Sequence, residues 1–205
     1  VATSNGTTAG HLVMLSNGIG PGDEVITTPF TFFATASVIM MAGAKPVFVD
    51  VEENGFCLDS AKVEESITEN TKAIHPVHLY GELANIPSFL EISKKHDLLL
   101  IEDSAQAHGA SLNGQRVGSF GDIATFSFFP SKNMAVGGDG GAILTNREDL
   151  IQRVSTFIDH GRLDKYRNDV LGTNFRLSEI QCGIGRIQLK HLDGWVARRN
   201  QIATR

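Results

Sequence analysis

The chain has 205 residues, with 18 Lys and Arg against 23 Asp and Glu for a formal net charge of −5. Hydrophobic residues at 41% and charged residues at 20% exclude a disordered chain, a coiled coil and a collagen-like repeat. The acidic balance argues against a general affinity for nucleic acid or an anionic membrane. Two cysteines, Cys57 and Cys182, are too few for a disulfide framework or a four-cysteine zinc site, so a reducing, cytoplasmic compartment is expected.

In chain order, Thr7 to Ser16 carries Ala9, Leu12, Val13 and Leu15 at helical spacing, and Asn17-Gly18 stops it. Val25 to Thr28 reads as a strand, Thr31 to Ala42 as an apolar helix ending at Gly43, and Val47 to Asp50 as the next strand. The stretch from Phe30 to Ala44 is interrupted by Thr31, Thr35 and Ser37 and falls short of the ~18 residues of a membrane span. Asp59 can cap a helix reaching Ile67, Ala73 to His78 is a strand, and Pro87 suits the first turn of a helix running to His96. Leu98 to Asp103 is a buried strand, Asn113-Gly114 a turn, and Ile123 to Phe128 and Ala142 to Thr145 are strands. Helices over 147–158 and 178–192 close the pattern. Strands alternating with helices predict one α/β domain, a mostly parallel sheet sandwiched by helices. Ligands of such sheets gather at the carboxyl ends of the strands. There stand Asp103 and Ser104, Ser127, and Pro29-Phe30-Thr31, which are expected to converge on one crevice.

Several familiar sites are absent. Gly18 to Asp23 has the wrong spacing for a dinucleotide fingerprint, and no phosphate-binding G-x-x-x-x-G-K-[ST] or nucleophile-elbow G-x-S-x-G occurs. His75 and His78, three apart on a strand, point to opposite faces and read as structural rather than as metal ligands; adjacent Glu102 and Asp103 diverge in the same way. Arg162, Lys165 and Arg167 read as a solvated basic stretch, with an anionic substrate as the other use.

Lys132 follows an apolar strand and precedes a glycine cluster, in TFSFFPSKNMAVGGDGG at 125–141. A partly desolvated lysine can lose its proton and form a Schiff base with an aldehyde cofactor. Pyridoxal phosphate (PLP) needs a carboxylate on its pyridine nitrogen so that the ring draws in carbanion charge. Asp103 can supply that carboxylate or can simply cap the following segment. The phosphate needs free N–H groups, and Gly6-Thr7-Thr8 opens a helix whose dipole attracts an anion, unless the threonines only cap it. Ser127 can add a hydroxyl.

With these residues in order, the chain resembles the DegT/DnrJ/EryC1/StrS family of PLP-dependent sugar aminotransferases. The matching segments are SNGTTAGHL at 4–12, GIGPGDEVITTPFTFFATA at 18–36, GAKPVFVDV at 43–51 and TKAIHPVHLYG at 71–81. They continue with IEDSAQAHGA at 101–110, VGSFGDIATFSFFPSKN at 117–133 and GTNFRLSEIQCGIG at 172–185. The resemblance implies the large PLP-binding domain of fold type I aminotransferases. It implies Lys132 as the cofactor-linked lysine and proton carrier, Asp103 on the pyridine nitrogen, and Gln106 on the ring's phenolic oxygen. Phe32 would stack on the ring, while Gly6, Thr7, Thr8 and Ser127 would hold the phosphate. Asn174 would reach the cofactor of a neighbouring subunit, and His160-Gly161 and His78 would lie towards the substrate side. The implied reaction moves an amino group, from glutamate, to a keto-sugar nucleotide in amino-sugar or surface-polysaccharide biosynthesis. Gly137-Gly138-Asp139 departs from the family, many of whose members carry a glutamate before the glycine pair. Relatives with a histidine in place of the lysine dehydrate sugars, so Lys132 argues against a dehydratase; a catalytically silent PLP-binding relative is the other alternative. Family members are longer, which sets the expectation that residues 1–205 are the cofactor-binding domain of a homodimer. An N-terminal extension and a smaller C-terminal domain would then lie outside them.

Overall fold

The computed structural model describes residues 1–204. In chain order the elements are β1 (Ala2–Thr3), α1 (Gly6–Ser16), β2 (Glu24–Thr27), α2 (Ala34–Met41), β3 (Lys45–Phe48), α3 (Ser60–Glu65), β4 (Thr71–Ile74) and α4 (Ile86–His96). They continue with β5 (Leu99–Asp103), β6 (Ser111–Leu112), β7 (Gln115–Arg116), β8 (Ile123–Ser127), β9 (Gly141–Leu144) and α5 (Glu148–Ile158). Last come β10 (Arg162–Asp164), β11 (Arg167–Asn168), α6 (Glu179–Leu189) and α7 (Leu192–Ala203). Seven strands form one sheet in the order β1-β9-β8-β5-β4-β2-β3. The run from β3 to β8 is parallel throughout, while β9 pairs antiparallel with both β8 and β1.

Helices cover both faces, as a mostly parallel sheet requires. On one side Leu12, Val13 and Met14 of α1, Val38 and Ile39 of α2, and Leu150, Val154 and Ile158 of α5 pack with Val25, Ala73, Ile101, Ile123 and Ile143 of the strands. On the other, Val63 of α3 and Phe89 and Ile92 of α4 pack with Ile26, Ile74 and Leu100. Alternation along each strand therefore sends successive side chains to different cores. Side-chain caps fix the helix starts. The Asn5 side chain accepts from the N–H of Thr8 while the Thr8 hydroxyl accepts from the N–H of Asn5, and Asp59 accepts from the N–H of Ala61. Asn113 and Gly114, both with positive φ, turn the β6–β7 hairpin.

Two expectations are corrected. Helix α2 begins at Ala34, so Thr31 to Phe33 stay outside it, and the N–H of Thr35 bonds the carbonyl of Phe32 in the entry turn. The expected helix over 178–192 is two helices, α6 and α7, separated at Lys190 and His191. The change of direction brings Leu192 into a buried position and Asp193 onto Arg116 at 2.7 Å. Arg162 and Arg167 lie on the exposed β10–β11 hairpin, paired with Asp159 and Asp169. They form a solvated face.

Candidate active site

The carboxyl end of β5 sets the centre of the site. Asp103 is the last residue of β5, and its Oδ1 accepts the N–H of Ala105 at 3.1 Å while Oδ2 accepts the Thr35 hydroxyl at 2.9 Å. Thr35 comes from α2 and is itself 3.0 Å from the Thr31 hydroxyl, so one hydroxyl and one backbone N–H hold the carboxylate and Thr31 steadies the hydroxyl. Glu102, one residue earlier, points to the opposite side of the sheet and is fully buried.

Lys132 sits in the turn beyond β8, where its N–H bonds the carbonyl of Phe129 at 2.8 Å. Partial burial pushes the Lys132 amine below the usual lysine range, and the Asp103 charge opposes that shift without cancelling it. His108, buried against Phe126 and Phe128, is pushed down to about 4, first by burial and then by the Lys132 charge. Lys132 therefore gives up its proton more readily than a lysine in water.

The opposite end of the cleft presents hydrogen-bond donors. Gly6 and Thr7 open α1, and among the described residues their N–H groups have no hydrogen-bond partner. Gly6 lets Ser127 approach this helix end, since a Cβ at position 6 would come within 2.7 Å of the Ser127 Cβ. Three features therefore meet at one point: two free N–H groups, a helix dipole and a hydroxyl. Thr8 is different. Its hydroxyl donates to the carbonyl of Asn5 at 2.9 Å and accepts the N–H of Asn5 at 3.1 Å. It is committed to the cap rather than free for a ligand.

One cleft of about 620 Å³ joins these parts, lined by Gly6, Thr7, Thr8, Phe32, Asp103, Gln106, Ser127 and Lys132 among others. The Gln106 Oε1 accepts the N–H of Tyr80 at 3.0 Å, which leaves the amide NH₂ as the group free to donate. Tyr80 holds a positive φ of 56° at this point. Phe32 is 69% exposed at the rim, and Asp139 lines the cleft from the glycine loop.

Asn174 does not join them. It is exposed and forms a β-bridge with Asp159, outside the cleft. His78 is fully buried and bonded to Glu102 at 3.1 Å, the structural histidine that alternation implies and not the substrate-side residue that the resemblance implies; His160 also lies outside the cleft. Ser104, expected at the crevice, is fully buried beneath it. Thr35 and His75, which sequence reasoning did not place in the site, line it. A second cavity of about 500 Å³ is lined by Asp97, Leu98, Asp122 and Arg147, at the other end of the strands. There Arg147 is neutralised by Asp122 at 2.9 Å, so the chemistry gathers in the first cleft. No group of three or more His, Cys, Asp or Glu side chains suited to a metal ion occurs among the described residues.

Comparison with known proteins gives a family. The family model described as the DegT/DnrJ/EryC1/StrS aminotransferase family matches residues 1–205. A pleiotropic regulatory protein of Geobacillus stearothermophilus is 50% identical over 99% of this chain. The UDP-N-acetyl-3-dehydro-alpha-D-glucosamine 3-aminotransferase of Acidithiobacillus ferrooxidans is 47% identical, again over 99% of it. Among solved structures, that of DesV from S. venezuelae in complex with a ketimine intermediate superposes over 100% of this chain with a TM-score of 0.96 at 42% identity. In each case the chain spans 55% of the relative's length. With its cleft and its sequence in agreement along the whole length, the chain belongs to the DegT/DnrJ/EryC1/StrS aminotransferase family.

Proposed function

We propose that the cleft binds pyridoxal phosphate and that the protein transfers an amino group from an amino donor, glutamate in this reading, to a keto-sugar nucleotide. The observation that carries the proposal is the convergence of Lys132, Asp103, Gln106, Ser127 and the α1 N-terminus on one cleft. The residues fit the group. A lysine with a depressed pKa, a carboxylate held by two donors, an amide left with a free NH₂, and an N–H-rich helix end are what an aldehyde, a pyridine nitrogen, a phenolic oxygen and a phosphate require. When bound, PLP supplies an electron sink that stabilises carbanion charge on a substrate carbon.

The chain's own residues do the rest. Lys132 is the attachment point for the aldehyde, and its amine takes and delivers the proton at the carbon that changes between C=O and C–NH₂. Asp103 keeps the pyridine nitrogen protonated, and Gln106 donates to the phenolic oxygen. Phe32 covers the ring, while the N–H groups of Gly6 and Thr7 with the Ser127 hydroxyl bind the phosphate. Thr8 contributes by holding the helix end in shape.

Residues 1–205 serve in this reading as the cofactor-binding domain of a cytoplasmic homodimer, and Asn174 completes the cofactor site of the second subunit. Its exposed position away from its own cleft supports that role, as does α6, which buries no residue in the single chain. No described helix is long and apolar enough to cross a membrane. The name of the Geobacillus relative favours a second reading, a regulatory protein that binds PLP without turnover. Lys132, Asp103 and Gln106 standing together on one cleft favour the enzyme. The test is to incubate the full-length protein with PLP, glutamate and a panel of keto-sugar nucleotides and to weigh the products. An amino sugar from one of them is expected; no amine transfer with any, from a protein that binds PLP, selects the regulatory reading.

A further inference from the structure

Among the described residues, His11, His75, Ser104 and His108 hold buried polar atoms without a hydrogen-bond partner, and of these only His75 lines the cleft. His75 is 1% exposed, and both ring nitrogens lack a partner. Leaving such a group unpaired costs stability, so a fold that keeps one invites a reason. The sheet supplies its position. The register Ala73 to Leu99 and Ile74 to Leu100 sets His75 beside Ile101, and Val77 bridges Asp103 one step further on. Paired residues of neighbouring strands share a face, so the imidazole stands on the face of Asp103, one pleat behind it and one strand across. The backbone there is held, since the N–H of His75 bonds the carbonyl of Ile26 and the N–H of Asp103 bonds the carbonyl of Pro76. Burial pushes the His75 ring below the usual histidine range, and the Asp103 charge opposes this. An uncharged imidazole keeps one N–H to donate.

We propose that His75 is a positioning residue whose ring N–H turns onto the Asp103 carboxylate when that carboxylate engages the pyridine nitrogen. The inference rests on the reading that a PLP ring lies in this cleft. Thr35 and Ala105 hold the carboxylate from α2 and from the following loop, and each oxygen retains a lone pair. A third donor from the floor of the cleft keeps the charge localised as it pairs with the pyridinium. The unpaired imidazole of the free protein is then a cost recovered on cofactor binding.

The test uses the PLP-loaded full chain and three variants, His75→Leu, His75→Asn and His75→Gln. Leucine fills a similar volume without polar atoms, whereas the two amides overlay an N–H on one or the other ring nitrogen. With His75→Leu the cofactor-free protein is expected to melt at the same or a higher temperature. Its PLP affinity and kcat fall about tenfold, as loss of a hydrogen bond to a charged group implies, with KM for the amino donor unchanged. The visible absorption maximum of the Lys132-bound cofactor shifts, and at least one amide variant restores both affinity and spectrum. Equal affinity, kcat and spectrum in wild type and His75→Leu overturn the role of His75, as does failure of both amides to restore any of them. Borohydride reduction of the wild type separates the two levels. PLP fixed on Lys132 with indifferent His75 variants removes only this inference, whereas absence of PLP from Lys132 removes the cofactor reading and this inference together.

Discussion

Glu102 and His78 form a buried pair in which the Nε2 of His78 lies 3.1 Å from Oε2 of Glu102 and neither side chain reaches solvent. Ala84 donates its N–H to Nδ1 of His78, which leaves the ring proton on Nε2, facing the carboxylate. The carboxylate also accepts the N–H groups of Gly118, Phe120 and Gly121. One side chain thus ties together β5, the segment entering α4 and the loop entering β8. Its neighbour Asp103, turned to the other face, is thereby held where the cleft needs it.

Burial alone would raise the Glu102 carboxyl, but His78 and the backbone donors outweigh it and the net shift is downward. A carboxyl depressed in the folded state contributes stability above its unfolded pKa of ~4.3 and loses it as pH falls through the lower folded value. Replacing Glu102 by Leu removes that contribution and strands three backbone N–H groups. A destabilisation of about 3–5 kcal/mol is expected, read from the urea midpoint at pH 7. The deficit should shrink relative to wild type below pH 4.

Asp103→Asn tests the charge at the centre of the cleft. The amide can keep the bond from Thr35 or Ala105 but cannot hold a pyridinium. Loss of pairing equivalent to two pK units is ~2.7 kcal/mol, or roughly a hundredfold in rate. Stopped-flow measurement of the half-reaction with glutamate should show that loss while PLP remains bound. A normal rate would contradict the assigned role.

The parts of the molecule that were legible in the sequence are those set by local pattern. Leu98 to Asp103 reads as a strand because it is a continuous apolar run between a helix stop and a polar end. Asn113-Gly114 gives its hairpin because both positions need positive φ. The lining of the cleft was legible wherever a residue type is tied to a strand end or helix start, as for Asp103, Ser127, Lys132 and Gly6. Thr35 was not, because a threonine inside an apolar helical run carries no mark of the strand its hydroxyl will meet. His75 read as structural because alternation gives a side chain its face but not whether that face ends in core or cleft. Thr8 shows the converse. Its place near a helix start is correct, yet Asn5 three residues earlier claims its hydroxyl.

Lys132 offers a test in the cofactor-free protein. Its folded pKa is below the unfolded one, so the folded state binds fewer protons between the two values and stability rises with pH across that window. Below it the charged amine is held at a cost. Lys132→Met should therefore raise the melting temperature of the cofactor-free protein at neutral pH while abolishing PLP attachment. A melting temperature that falls would show the lysine to be a stabilising group rather than a strained one.

Gly6→Ala should damage the phosphate end specifically. The added Cβ would lie 2.7 Å from the Ser127 Cβ and 3.3 Å from its Cα, and strand backbone cannot yield as a flexible side chain would. Overpacking of this kind costs about 1–3 kcal/mol. The separation forced between α1 and β8 also pulls the free N–H groups from the Ser127 hydroxyl. Thermal melting should register the first effect. Titration with PLP should show a loss of affinity larger than that for pyridoxal, which lacks the phosphate.

The proposed reach of Asn174 across a subunit boundary leads to a complementation experiment. Suppose each site takes Lys132 from one chain and Asn174 from its partner. A homodimer of Lys132→Ala then has no working site, and a homodimer of Asn174→Ala has two that hold the cofactor phosphate poorly. Mixing the two proteins in equal amounts and allowing subunits to exchange makes half of the dimers mixed. In each mixed dimer one site carries both lesions and the other carries neither, so about one quarter of all sites are restored. Transamination at limiting PLP should rise towards that fraction as exchange proceeds. If Asn174 served its own chain's cofactor, every site in a mixed dimer would carry one lesion or the other. Activity would then stay at the mean of the two homodimers, and the assignment of Asn174 to the neighbouring subunit would be wrong.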